Sequence, residues 1–436
     1  MRTATRWLPV VLAMMTGCGG ESRTTSNPPA TRDAATTLPG ASTPAPAAAP
    51  TRVSVGLERL ESPEGRALRG KRVGLIVNAA SVTRNGRPAL QVMRQHGIHV
   101  VRLFAAEHGL SATLGAGERS GGGGSGSSVG VVSLYDRPGM KPTMADLRGL
   151  DALVYDLQDA GVRFFTYVST MIYAQREAAK AGVRFVVLDR PNPLGGVRVA
   201  GPVADLPERF VSVAPGPLVH GLTAGEMARL IQRRSTPRGD LVVVPMQGWR
   251  RAMTWADTGR RWVAPSPSLR SAQAALLYPG TALLEGTTAT EGRGTVAPFR
   301  VIGAPWAKVR PLLSAASVPG MSASERSFTP RPTLSVPKPK FSGQRCSGIA
   351  IEVTDDDVDP FALGLRLLHA LRTQRGFAWL NTTGAYAGDT FDTLVGTKRM
   401  RRALDRGASV EAILDSERAG IADWRRAREP ALLYDE

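Results

Sequence analysis

The chain has 436 residues, enough for two domains of ordinary size, and its hydrophobic fraction of 42% is that of a globular protein. Its formal charge is +18, from 55 basic and 37 acidic residues. The basic residues are scattered singly or in pairs such as Arg233 with Arg234, and neither zinc-finger spacing nor an aromatic RNA-binding motif accompanies them, so no nucleic-acid partner is expected.

In chain order, Arg2 and Arg6 precede an apolar stretch from Trp7 to Met15 that is too short to cross a bilayer and fits a secretory signal. It ends in Met15-Thr16-Gly17-Cys18, which resembles a bacterial lipobox and implies cleavage before Cys18 and a diacylglyceryl group plus an amide-linked acyl chain on that residue. Residues 1–18 are therefore expected to be a lipoprotein signal peptide, and Cys18 a membrane anchor held by several acyl chains. Residues 19–52, rich in Ala, Pro, Thr and Ser, cannot bury enough surface to fold and read as a disordered tether. The one other cysteine, Cys346, then has no partner for an internal disulfide, so the core alone must stabilise the body.

The body starts with an apolar strand at 72–78, a helix at 88–96 with Pro88 near its first turn, and a second strand at 99–105. Strands at 151–155, 184–188 and 241–244 alternate with helices at 170–181 and 223–232. Such alternation predicts βαβ units and a mostly parallel, Rossmann-like sheet covered on both faces. Further on, a strand at 348–353 and helices near 361–375 and 398–405 are expected.

Chemistry gathers where these strands end. Asn78 ends the first; Glu107 and His108 follow the second; Asp156, Gln158 and Asp159 follow the third, with Arg163, Tyr167 and Ser169 soon after; Asp189, Arg190 and Asn192 follow the fourth. In a parallel sheet those ends share one edge, where ligands bind. Two carboxylates in one cleft suit glycoside hydrolysis, although aspartates after strands are also common helix caps. The residues by themselves leave a hydrolase and a sugar-binding protein both open.

Dinucleotide binding is not supported, because the nearest glycine fingerprint, Gly115-Ala-Gly117-Glu-Arg-Ser120, lacks its third glycine and follows no convincing strand. No phosphate-binding loop or nucleophile elbow is present, and His96 and His99 stand without further ligands at metal spacing, so no cofactor and no metal are expected.

Several blocks then occur in one order: Phe104-Ala-Ala-Glu-His-Gly109, Tyr155-Asp-Leu-Gln-Asp-Ala-Gly-Val-Arg-Phe-Phe-Thr-Tyr167, Leu188-Asp-Arg-Pro-Asn-Pro193, His220-Gly221, Leu276-Leu-Tyr-Pro-Gly280, Leu284-Glu-Gly286, Glu291-Gly-Arg-Gly-Thr295, Gly303-Ala-Pro-Trp306, Phe391-Asp-Thr-Leu-Val-Gly396 and Leu432-Leu-Tyr434. From about residue 53 to the end, the chain resembles the DUF1343 family, which contains the exo-β-N-acetylmuramidases of the NamZ type. The resemblance implies a Rossmann-like domain, here 53–297, followed by a smaller α/β domain, 298–436, with the active site in a cleft between them. It implies a glycosidase that releases N-acetylmuramic acid from the non-reducing ends of peptidoglycan fragments. Muropeptides would be its partners, and the bacterial envelope, on the periplasmic or extracellular side, its location. A muropeptide-binding lipoprotein without catalysis and a hydrolase of another anionic sugar are the alternatives.

Within that resemblance, Glu107 is the first choice for the general acid, with Asp156 and Glu291 ahead of Asp159 as its partner. Glu285 is assigned to holding the loop at 286–294 in shape. Asn78, His108, Asp159, Arg163, Tyr167, Asn192, His220 and Arg293 are candidate substrate contacts. Arg163, Arg190 and Arg293 are the guanidiniums able to pair bidentately with the lactyl carboxylate that distinguishes muramic acid from glucosamine. Two segments depart from the family pattern, the Gly/Ser-only loop at 120–128 and Pro265-Ser-Pro-Ser268, which carries serine where asparagine is usual.

Overall fold

The computed structural model describes residues 52–113, 129–135, 137–382 and 388–436. The expected signal peptide, Cys18, the tether up to residue 51 and the loop at 120–128 lie outside the described residues.

Strands β1 (Arg72–Ile76), β2 (His99–Ala105), β3 (Gly130–Ser133), β4 (Ala152–Tyr155) and β5 (Arg184–Leu188) follow one another along the chain. A short antiparallel pair, β6 (Ala200–Val203) and β7 (Pro217–Val219), precedes β8 (Leu241–Val244). The main sheet runs β3-β2-β1-β4-β5-β8 and is parallel throughout. Its order reverses between β1 and β4, the topological switch point where such sheets open a crevice. Ile76 is in register with both Phe104 and Tyr155, and Tyr155 with Val187, so the carboxyl ends of β1, β2, β4 and β5 finish flush.

The two-residue alternation of strand side chains separates two cores. Val73, Leu75, Val154 and Val186 point into one, together with Val92 and Met93 of the helix Ala89–Gln95. Ile76, Phe104, Leu153, Tyr155 and Val187 point into the other, against Met171 and Ile172 of the helix Thr166–Ala181. All four residues of β4 are buried, which explains their continuous apolar run.

A smaller α/β domain follows, built on an antiparallel sheet of β9 (Val301–Ala304), β10 (Met321–Phe328) and β11 (Cys346–Val353) in the order β10-β11-β9. Its helix Pro360–Arg372 crosses the helix Ala272–Thr281 with Gly280 and Gly364 face to face, so close that a Cβ on Gly280 would stand 1.9 Å from the carbonyl oxygen of Pro360. The C-terminal tail returns to the first sheet: the Tyr434 hydroxyl donates to Asp189 Oδ2 at 2.5 Å, and Leu433 N to Glu226 Oε1 at 3.0 Å.

Candidate active site

Just beyond β2 the chain turns through His108 and Gly109, both in the left-handed region (φ 72° and 71°). The turn holds Glu107 inward, 3% exposed. Glu107 Oε2 accepts the Thr166 hydroxyl at 2.5 Å, and the Tyr135 hydroxyl hydrogen-bonds to the same carboxylate. Burial first, and then the charge of Glu107, raise the pKa of Tyr135. The Tyr167 hydroxyl lies 3.2 Å from the backbone carbonyl of Glu107, donates to Pro265 O at 2.6 Å and accepts from Asn78 Nδ2 at 2.7 Å. Asn78 Oδ1 takes the N–H of Ala80. Asn78 and Tyr167 thus fix the floor under Glu107, and Tyr167, with 0% exposure, presents no face for a sugar to stack on.

The two aspartates after β4 have opposite surroundings. Asp156 is wholly buried, and its two oxygens face Arg190 Nε at 2.6 Å and Nη2 at 2.9 Å. Burial raises its pKa and Arg190 opposes the rise. It was a first-rank catalytic candidate; the structure commits both its oxygens to an internal brace. Asp159 is 7% exposed. Its Oδ2 accepts the N–H of Gly161 at 2.8 Å, while its Oδ1 is buried with no hydrogen-bond partner. Burial pushes its pKa up to about 7, against the lowering by the amides of Gly161 and Ala160.

Asp159 is not a helix cap, because the helix starts seven residues later at Thr166 and its N-cap, Phe165, makes no side-chain bond. Gly161 enables the turn: its φ is 75°, and a Cβ there would stand 2.2 Å from Asn192 Oδ1.

Next to Asp159 stands His220, 1% exposed. Its Nδ1 accepts the N–H of Leu222 at 3.1 Å, so the proton of the neutral ring sits on Nε2. Nε2 is 3.9 Å from Asp159 Oδ2 and has no hydrogen-bond partner. Burial, helped by Arg428 and Arg163, pushes the His220 pKa down to about 3, and the ring stays neutral.

Arg163 and Asn192 were expected at the substrate; Asn192 is fully engaged within the protein, and Arg163 is engaged through both terminal nitrogens while its Nε has no hydrogen-bond partner. The Arg163 guanidinium, 0% exposed, donates to the carbonyls of Pro202, Gly216 and Val395, and burial lowers its pKa to about 10. Asn192 bonds Leu222 O and Leu194 N.

Glu291 lies in a charge-matched loop. It is 3.4 Å from both Arg293 Nε and Lys340 Nζ. Arg293 also pairs with Glu285 at 2.7 Å and donates to Ser268 Oγ at 3.0 Å, while Lys340 donates to the carbonyls of Leu284, Glu285, Thr287 and Ala289. Tyr278 joins this loop to the other acids: burial chiefly, with the charges of Glu285, Glu107 and Asp159, raises its pKa. Thr166 and Tyr278 stand inside blocks quoted above, but nothing in the sequence singles them out from their apolar neighbours; Tyr135 and Lys340 carry no local signal at all.

Two cavities open at this edge. One of about 800 Å³ lies beyond β5, walled by Leu194, Arg198, Met253, Trp255, Gln273 and Asp359, and contains none of the candidate acids. Another, of about 310 Å³, lies between the loops after β1, β4 and β5, with Gln158 and Arg190 in its wall.

A parallel sheet that gathers buried carboxyls at its switch point has the layout of an α/β enzyme with its ligand site at that edge. The model of the exo-β-N-acetylmuramidase NamZ N-terminal domain matches residues 73–273, and that of its C-terminal domain residues 276–434. The peptidoglycan β-N-acetylmuramidase NamZ of Bacillus subtilis (strain 168) is 36% identical over 393 residues, 88% of this chain and 92% of that protein. Two crystal structures of DUF1343 family proteins from Bacteroides fragilis NCTC 9343 superpose with TM-scores of 0.76 and 0.71, each at 27% identity over 88% of this chain and 99% and 100% of theirs. The chain belongs to the NamZ exo-β-N-acetylmuramidase family.

Proposed function

We propose that this protein is a glycosidase that releases N-acetylmuramic acid from the non-reducing ends of peptidoglycan fragments, with Asp159 as its proton donor and Glu107 as the second carboxylate. Family membership supports the reaction. One observation carries the roles: Asp159, raised to about 7, leaves an oxygen unpartnered, whereas Glu107 is an acceptor for the hydroxyls of Thr166 and Tyr135. Glycosidase chemistry needs such a division, one carboxyl protonating the leaving oxygen and one carboxylate activating water or attacking carbon. His220 Nε2–H, also unpartnered, donates to the sugar beside Asp159. His108, in the left-handed turn after Glu107, sets its ring edge-on to Tyr167 at 6.3 Å. Asp156, Arg163, Asn192, Glu291 and Arg293 hold the scaffold.

The envelope is where this substrate lies, and the lipobox-like Met15-Thr16-Gly17-Cys18 supports a lipid anchor on Cys18, with 19–52 as tether and the body divided at about residue 297. Protein lacking residues 1–52 should release a chromogenic aglycone from a β-N-acetylmuramide and leave the matching glucosaminide intact. Saturable binding of a muramic-acid disaccharide whose glycosidic bond survives long incubation would instead identify a binding protein.

A further inference from the structure

We propose that the 310 Å³ pocket at the switch point is a carboxylate subsite, with Arg261 as its free cation and Arg84, Arg190 and Arg260 as its positive wall. The inference rests on the reading of the protein as a muramidase and names how it recognises its anionic substrate. Four guanidiniums line this one pocket. Two have acids of their own: Arg190 is held by Asp156, and Arg260 Nη1 by Glu58 at 2.7 Å. The Arg84 guanidinium donates to the carbonyls of Val53, Thr258 and Gly259, while its backbone N–H donates to Glu58. Arg261 is exposed, and among the described residues neither it nor Arg84 has an ion-pair partner. The pocket therefore holds an excess of positive charge. The guanidiniums repel one another: Arg260 has its pKa lowered mainly by burial, with Arg190 and Arg84 adding to the effect.

An anion relieves that repulsion, and a planar carboxylate matches guanidinium geometry bidentately. The place fits the chemistry as well. Gln158 lines the pocket and immediately precedes Asp159, whose Cα is therefore about 3.8 Å from its own. Asp159 does not itself line the pocket, so Gln158 is the chain link between the subsite and the proposed proton donor. Muropeptides offer that group from two sources, the lactyl ether of a free muramic acid or a stem-peptide carboxylate.

The test uses the full chain with Arg261→Ala and Arg261→Glu, which alter an exposed side chain. Trp255 also lines the pocket, so tryptophan fluorescence reads occupancy. Titration with N-acetylmuramic acid, with muramoyl dipeptide, whose lactyl group is amidated, and with N-acetylglucosamine separates the sources. The wild type should bind one or both carboxylate ligands at least tenfold tighter than N-acetylglucosamine. Arg261→Ala should weaken that binding roughly tenfold, in line with the loss of one charge-assisted hydrogen bond, and Arg261→Glu more. A response confined to N-acetylmuramic acid assigns the lactyl source, and one confined to the dipeptide the peptide source. On a chromogenic muramide KM should rise by a similar factor with kcat within about twofold, the pattern of lost uniform binding. Unchanged binding and KM in both variants overturn the subsite even if the wild type is a muramidase. Weakened binding in a wild type that cleaves nothing leaves the subsite standing and removes the catalytic reading.

Discussion

The loop from Glu285 to Arg293 and the turn after β4 both bury carboxylates, and they treat them in opposite ways. In the loop, Glu285 and Glu291 are met by Arg293 and Lys340, and Lys340 is further bound to four backbone carbonyls. In the turn, Asp156 is neutralised by Arg190, but Asp159 Oδ1 and His220 Nε2 are left without partners. A buried polar atom with nothing to bond costs about 1–3 kcal/mol. Such a cost persists where a ligand satisfies the atom, so charge balance separates scaffold acids from working ones more sharply than burial does.

The largest effect that could break this contrast is on turnover. Glu107→Gln should lower kcat on every muramide by about a thousandfold, within the range for loss of a positioned acid or base, with the melting temperature little changed. Near-normal turnover would remove Glu107 from the chemistry. Asp156→Asn should act on stability instead, because it leaves the buried Arg190 unpaired: denaturant unfolding should register a loss of about 3–5 kcal/mol. Glu291→Gln should cost less, about 1–3 kcal/mol, because Arg293 keeps Glu285, and kcat per folded molecule should stay within a fewfold of the wild type. A collapse of kcat in folded Glu291→Gln would move that residue into the mechanism.

A further effect, confined to one pH range, is the dependence of stability on pH. Asp159 rises in the fold from its ordinary 3.8 to about 7, so folding favours its protonated form. The stability this contributes is complete below pH 3.8 and is lost as pH climbs through about 7. Asp159→Asn is neutral throughout and should therefore be more stable than the wild type at pH 8, by on the order of a few kcal/mol, and no more stable at pH 3.5. Parallel stability curves for the two proteins would show that Asp159 is not perturbed.

The sequence made the parallel strands legible because each is a continuous apolar run, as in Ala152–Tyr155. β10 was not, since Met-Ser-Ala-Ser-Glu-Arg-Ser-Phe is an edge strand paired only with β11 and is largely exposed. β3 escaped because its register partner in β2, not its own four residues, makes it a strand. The helix expected from Thr170 starts at Thr166 because no capping side chain marks its beginning.

At the site, Glu107, Asp159 and His220 all stand in strand ends and blocks that the sequence displays, and His220 lies 3.9 Å from Asp159. The division of labour was not legible there. Whether Arg163 meets a substrate depends on carbonyls at 202, 216 and 395, and whether Asp156 or Asp159 is free depends on Arg190, 34 residues beyond Asp156.

The leaving group offers the most direct test of the contrast between Asp159 and the balanced acids. A nitrophenolate departs without protonation, whereas the sugar hydroxyl of the disaccharide needs a proton donor. Measured side by side on a nitrophenyl β-N-acetylmuramide and on the muramic acid–glucosamine disaccharide, Asp159→Asn should keep nitrophenyl turnover within about tenfold and lose about 10²–10⁴ on the disaccharide, while Glu107→Gln fails on both. Equal losses on the two substrates in Asp159→Asn, or the split appearing in Glu107→Gln instead, would contradict the assignment of the proton to Asp159.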